Sequence, residues 1–219
     1  MTVNDLDISY KFHIQTLRAI SVLLVFFYHL KIDLFAKGYL GVDIFFVISG
    51  FVITQSIYSN YLETNKIDLK LFYKKRLKRI LPNLIFILSI TYFIYLIIGP
   101  PDITLWNDYL SSILGVSNFY FLLSNKGYFY NIFDNPFAHT WSLGVEEQFY
   151  FIYPFLAFLF LDFFKKKNFF LFLLTILILL SLLFAFYFFK INPDTSFYFS
   201  PLRFWELGFG CLCYFINNK

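Results

Sequence analysis

Two ionisable residues lie inside the first apolar segment of the chain, residues 14–30. Arg18 and His29 are eleven residues apart, close to three helical turns, so both project from one helix face about 16 Å apart along the axis. Ionisable side chains within a membrane span are costly and are usually paired or functional. An arginine can also snorkel to the interface, and a histidine can lie there as an amphipathic ring. The shared face favours a functional role for both residues.

A histidine and two adjacent glutamates occur in the stretch HTWSLGVEEQFYFIYP, His139–Pro154. We predict that Ser142 caps a helix here, which places Glu146 and Glu147 in or near its first turns, where the helix dipole favours negative charge. That structural role explains one glutamate, but it does not explain two glutamates together with His139. A histidine and a carboxylate near a membrane boundary suit proton transfer to or from a hydroxyl group.

A basic run, KKRLKR, precedes the third apolar segment. Its Arg76 and Arg79 are three residues apart, so they share one helix face, which we expect at the membrane surface. The guanidinium fork matches pairs of phosphate oxygens, and a phosphorylated donor such as coenzyme A would bind there. The alternative is that the run only marks the cytoplasmic side of the membrane.

The second apolar segment carries Asp43 near its start, across a short connection from His29. Asp43 could orient His29 through a hydrogen bond, or it could be a solvated carboxylate in the first helical turn. The same segment contains Gly41, Ser49 and Gly50, whose small side chains let helices approach closely.

The composition excludes an ordinary soluble domain. The 219 residues are 59% hydrophobic and 15% charged, with a mean hydropathy of +0.65, whereas soluble chains have about 45–50% apolar and about 25% charged residues. The net charge of +4 comes from basic residues at membrane edges, so we expect a lipid bilayer and no nucleic acid as partner. Cys211 and Cys213 point to different helix faces, so neither a disulfide nor a metal site is predicted.

We predict an all-α, polytopic transmembrane bundle with six crossings and one re-entrant or interfacial segment. The basic stretches 58–80 and 165–167 are predicted to be cytoplasmic, together with the N-terminus. Segment 106–123 then cannot cross fully, and region 99–140 lies outside; such a segment is tolerated only where protein covers it. The predicted apolar segments are 14–30, 39–57, 81–98, 106–123, 141–161, 169–189 and 202–216.

Five stretches, in order, resemble the membrane acyltransferase-3 family, bacterial O-acyltransferases that modify cell-envelope glycans. The resemblance implies transfer of an acetyl group from cytoplasmic acetyl-CoA, a substrate and not a permanently bound cofactor, to a hydroxyl of lipopolysaccharide O-antigen, peptidoglycan or exopolysaccharide. The matching stretches are LRAISVLLVFFYHL from Leu17, GYLGVDIFFVISGFVIT from Gly38, FYKKRLKRILP from Phe72, HTWSLGVEEQFYFIYP from His139 and SPLRFWELGFG from Ser200.

The resemblance also assigns roles to six residues. Arg18, Arg76 and Arg79 would bind the phosphates of the donor. His29 would act as general base or as a transient acyl carrier. His139 and Glu146 would position or deprotonate the acceptor.

Residues 1–219 are expected to form one acyltransferase-3-like domain of a bacterial inner-membrane protein, incomplete at the C-terminus, since the family has more membrane helices and commonly an esterase-like domain outside. One alternative is a transporter, which predicts repeat symmetry between halves, and no repeat is visible. The other is a truncated, inactive fragment.

Overall fold

The computed structural model describes residues 3–99, 104–124 and 135–217, with side chains from residue 12 onward, and this part of the chain is all-helical. Part of the predicted outer region 99–140 therefore lies outside the described residues. A 3-10 turn at Asp33–Phe35 precedes α2, and a π-helical turn at Phe158–Phe163 follows α6. The helices are α1 (Val3–His29), α2 (Leu40–Thr64), α3 (Leu69–Ile98), α4 (Leu105–Ile113), α5 (Ser117–Leu123), α6 (Thr140–Ala157), α7 (Lys167–Ile191), α8 (Pro193–Tyr198) and α9 (Ser200–Asn217).

Four helices among the described residues, α1, α2, α3 and α7, are long and apolar enough to cross a membrane. The predicted crossings at 141–161 and 202–216 correspond to α6 and α9, which do not meet the same measure. The chain is a multi-pass membrane protein, and six crossings remain a prediction.

The segment predicted to be re-entrant, 106–123, forms two short helices instead of one span. Gly115 separates α4 from α5 with φ +67°, a conformation that favours glycine. The N–H of Val116 bonds back to Ser111 O at 3.0 Å, which is the helix ending that a left-handed glycine allows. The 9 and 7 residues of α4 and α5 are each too short to cross a hydrocarbon core of about 30 Å.

Helix α3 begins earlier than the third apolar segment predicts. The Asp68 carboxylate accepts from Leu71 N–H at 2.8 Å and caps the helix, which satisfies one of its free amide groups. The basic run Lys74–Arg79 is therefore part of a 30-residue helix that also contains Pro82. The lysine-rich residues form helix because lysine and arginine are good helix formers, so the connection between α2 and α3 is only residues 65–68, and the cytoplasmic placement of 58–80 stays a prediction.

The chain divides into two compact units, and helices α2 and α9 contribute residues to both. The first unit comprises Met1–Gln55 and Glu206–Lys219. In it, a Cβ on Gly41 would lie 2.4 Å from Ser21 O of α1, and a Cβ on Gly50 would lie 1.8 Å from Leu207 O of α9. These two glycines let backbones touch, which confirms the predicted close packing.

The second unit, Ser56–Trp205, packs α4, α5 and α6 beside α3. Ser89 is nine residues from both Ile80 and Ile98, and its hydroxyl is 2.9 Å from Tyr109 Oη of α4. Ser112 of α4 is in turn 2.8 Å from the Thr140 hydroxyl at the start of α6. Two side-chain contacts therefore connect the N-terminus of α6, through α4, to the middle of the uncharged part of α3.

Candidate active site

His29 occupies the last turn of α1 and is half-buried. Its Nδ1 is 2.8 Å from Val25 O of the preceding turn. A carbonyl oxygen only accepts, so Nδ1 carries the proton, and Nε2 is the basic nitrogen of the neutral ring. In this tautomer Nε2 is the nitrogen that could accept a proton or an acyl group.

Arg18 lies in the same unit and is also half-buried. Its Cζ is 5.4 Å from the centre of the Phe45 ring of α2, a distance at which the ring face attracts a cation. Since α1 is one continuous helix through both residues, the spacing of eleven puts Arg18 and His29 on one face, as the sequence predicts.

The N-terminus of α6 differs from the prediction. Helix α6 begins at Thr140, with the exposed His139 as its N-cap residue. The Ser142 hydroxyl donates to His139 O at 3.2 Å from inside the first turn, so Ser142 is not the cap. Glu146 is buried and Glu147 half-buried, both beyond the first turn, where the helix dipole has largely decayed. The dipole therefore does not account for either glutamate.

Arg76 and Arg79 have different environments although they are three residues apart. Arg79 is exposed. Arg76 is half-buried, with its Cζ 3.6 Å from the centre of the Tyr150 ring of α6. The Nε of Arg76 is buried and has no hydrogen-bond partner among the described residues. A buried guanidinium N–H without an acceptor is costly unless a ligand supplies one.

Glu147 is the residue that reasoning from the sequence missed. It lines a cleft of about 150 Å³ together with Arg76 and Tyr150. Within the described residues no hydrogen bond or ion pair is made by its carboxylate. The spacing in the sequence does not separate the two glutamates, because Tyr150 is four residues from Glu146 and three from Glu147, and both spacings share a helix face.

A second cleft of about 290 Å³ shares Glu147 and Phe151 with the first. Gly115 lines it, and a Cβ there would lie 2.2 Å from Glu147 Oε2. The left-handed turn at Gly115 thus leaves the space that the glutamate occupies.

A hydrogen-bonded polar layer connects α5, α6 and the start of α9. Gln148 Nε2 donates to Gly115 O at 2.9 Å and to Asn118 Oδ1 at 2.8 Å. The Asn118 amide donates to Tyr198 O at 2.9 Å and to Ser200 Oγ at 2.7 Å, and Ser200 Oγ donates to Gln148 Oε1. We call Gln148, Asn118 and Ser200 the polar layer; it fixes α6, and with it Glu147.

In the part of the chain that the structure describes, no group of three or more His, Cys, Asp or Glu side chains could hold a metal ion. Of the six predicted site residues, Arg18 and His29 lie on α1, Arg76 and the exposed Arg79 on α3, and Glu146 on α6, whose N-cap is His139. Their roles remain predictions.

Comparison with known proteins identifies the family. The sequence model of the acyltransferase-3 family, described as "Acyltransferase domain", matches residues 13–219. The chain is 40% identical over 153 residues to the O-acetyltransferase OatA of Staphylococcus aureus strain NCTC 8325, covering 69% of this chain and 25% of OatA.

A second S. aureus protein, from strain COL and provisionally named as an O-acetyltransferase, is 40% identical over 139 residues, which are 63% of this chain and 23% of that protein. The chain thus spans about a quarter of the length of these curated relatives. No solved structure matches it significantly. With the family model covering nearly the whole sequence, the chain belongs to the acyltransferase-3 family.

Proposed function

We propose that this protein transfers an acyl group, acetyl in the first instance, from a cytoplasmic acyl-CoA to a hydroxyl of a cell-envelope glycan. The observation that carries the proposal is the family match over residues 13–219. The names of the relatives, O-acetyltransferases, support acetyl as the group and oxygen as the acceptor atom. The glycan is one of the envelope polymers, O-antigen, peptidoglycan or exopolysaccharide.

The reaction breaks the acyl carbon–sulfur bond of the thioester and forms a carbon–oxygen ester bond. The proton of the acceptor hydroxyl ends on the thiolate sulfur, so no oxidant or further reactant is needed. His29 Nε2 is the basic nitrogen of the neutral ring, and it takes that proton in a direct transfer. In a two-step route the same nitrogen receives the acyl group first and then passes it to the hydroxyl.

The donor is proposed to bind from the side on which α3 begins. Arg79 and Arg18 supply positive charge for its phosphates, Arg76 binds the donor beside them, and the exposed lysines of α3 add to the field. With the N-terminus and the α2–α3 connection on the cytoplasmic side of the inner membrane, this is the side where acyl-CoA occurs. His139 and Glu146, at and near the start of α6, position or deprotonate the acceptor hydroxyl.

The test uses membranes from cells that make the natural protein, incubated with acetyl-labelled acetyl-CoA. We expect base-labile label in the envelope glycan, and we expect His29→Ala to remove it while the protein still inserts. The matched control is His13→Ala, because His13 lies on the same helix and is exposed. Absence of label with the unaltered protein would refute the proposed function, and full labelling by His29→Ala would refute the role of His29.

A further inference from the structure

The cleft between α3 and α6 has one cation, one carboxylate and otherwise a mostly apolar wall. Arg76 contributes the cation from α3, and Glu147 the carboxylate from α6. Arg76 Nε is a buried donor without an acceptor, and the Glu147 carboxylate accepts no hydrogen bond within the described residues. The cleft, which both residues line, offers a ligand the Arg76 guanidinium as donor and the Glu147 carboxylate as acceptor. The remaining lining residues are Tyr73, Leu77, Ile80, Leu81, Tyr150 and Phe151.

The charge balance of this cleft argues against a phosphate as its ligand. Glu147 brings a carboxyl group into the cleft, whose charged form repels an anion, and the Arg76 guanidinium already lies against the face of Tyr150. A phosphate finds better partners on the outer face of α3, where the exposed cations include Lys75, Lys78 and Arg79. A donor and an acceptor in an apolar wall instead match an amide group on a chain without charge.

We propose that this cleft binds the pantetheine arm of the acyl donor, with Glu147 accepting a hydrogen bond from an amide N–H and Arg76 donating to an amide carbonyl. The inference rests on the proposed function, since the arm is the uncharged part of acyl-CoA. The arm carries two amides and a branched hydrocarbon group, so it pairs with both polar side chains and contacts the apolar wall. Glu147 is then a specificity-determining residue for the donor.

The competing explanation is that Glu147 only balances the charge of Arg76. The two explanations predict different KM values for different donors. If Glu147 only balances the Arg76 charge, its loss should not change the KM of a donor that has the uncharged arm and no phosphates. S-acetylpantetheine supplies the arm and the thioester alone, and acetyl-CoA supplies both together with the phosphates. Comparing the KM of the two donors therefore separates the arm from the phosphate end.

The experiment measures thiol release from both donors in permeabilised membranes that contain the natural protein and its glycan acceptor. We expect Glu147→Gln to raise the KM of acetyl-CoA and of S-acetylpantetheine by the same factor, roughly tenfold, with little change in kcat, since a charge-assisted hydrogen bond is lost. Glu147→Asp, which keeps the carboxylate, should recover part of the loss. Arg79→Gln should raise the KM of acetyl-CoA alone.

The control variant is Glu63→Gln, an exposed carboxylate in the same unit, which should leave both KM values unchanged. A Glu147→Gln enzyme whose KM for S-acetylpantetheine stays at the wild-type value would overturn the proposal, as would a fall in kcat alone. If Glu147→Gln does not accumulate in membranes, Glu147→Asp decides by the same two KM values. Wild-type membranes that release no thiol from either donor would instead refute the proposed function, and this inference with it.

Discussion

The polar layer and the cleft both include side chains of α6, but they differ in whether their polar groups are hydrogen-bonded. In the polar layer, Gln148, Asn118 and Ser200 use one another and two backbone carbonyls as partners. In the cleft, one helical position earlier, the Glu147 carboxylate and the Arg76 Nε have no hydrogen-bond partner among the described residues. Buried polar groups in native proteins are nearly always satisfied.

The difference separates groups that build the fold from groups that are held for a ligand. A closed hydrogen-bond network inside an apolar layer fixes helices in one arrangement, because every broken bond leaves an unsatisfied group. A donor and an acceptor that are held rigidly and left open cost stability, and a ligand that pairs with both recovers it. Substitutions in the polar layer should therefore lower the free energy of unfolding, whereas substitutions in the cleft should raise the KM of the donor.

The largest expected effect is on the polar layer. Gln148→Leu removes its two donated bonds and the one that it accepts from Ser200, which leaves buried partners unsatisfied and should lower the free energy of unfolding by about 3 kcal/mol or more. The yield of folded protein and its melting temperature in detergent report this loss, while the donor KM of the remaining folded enzyme should stay near wild type. Gln15→Leu, at an exposed position, is the control, with a change within about 0.5 kcal/mol. A Gln148→Leu protein that is as stable as wild type and has a raised donor KM would show that the polar layer serves donor binding and not the stability of the fold.

A smaller effect is expected at Asp162, which joins the connections α2–α3 and α6–α7 just beyond the predicted span 141–161. Its carboxylate accepts from Ile67 N–H at 2.7 Å and from Lys165 Nζ at 3.0 Å. Burial alone would raise the pKa of Asp162, but these hydrogen bonds and the lysine charges outweigh it and hold the pKa below the usual 3.8. Asp162→Asn should lower the free energy of unfolding by about 1 kcal/mol, because water and salt reach this site.

The pH dependence of that loss follows from the sign of the shift. A carboxyl group with a lowered pKa in the folded state stabilises the protein above its unfolded pKa, and the contribution disappears as the pH falls through the folded pKa. The melting temperatures of wild type and Asp162→Asn should therefore differ at neutral pH and converge below pH 3.8, in proportion to Asp162 protonation. A difference that is the same at both ends of this range would show that the charge of Asp162 contributes nothing.

The sequence predicts the features that depend on helix periodicity, on small side chains or on the distribution of charge. These are the common face of Arg18 and His29, the close approach at Gly41 and Gly50, and the incomplete crossing at 106–123, and the structure agrees with each. The early start of α3 could not be predicted from hydropathy, because its first turns are rich in charged residues and therefore fall outside the apolar segment although they are helical.

The choice between the two glutamates was beyond the sequence for a different reason. Adjacent residues on a helix face different neighbours, and which face meets α3 depends on how α6 packs. Arg76 on Tyr150 identifies that face as the one with Glu147. The cap at His139 instead of Ser142 likewise depends on the connection before α6, where Asn135 Oδ1 accepts from Phe137 N–H.

The most direct test of the difference between the two regions is the melting temperature of purified protein with and without pantetheine, which has the arm and no phosphate. A ligand that binds only the folded state stabilises it by about 2.7 kcal/mol at a hundred times its Kd. We predict that pantetheine raises the melting temperature of wild type and of the control Glu63→Gln. The same concentration should leave Glu147→Gln nearly unchanged. An equal rise in Glu147→Gln and wild type, or no rise in wild type at any concentration, would contradict the claim that the open polar groups of the cleft are held for the donor.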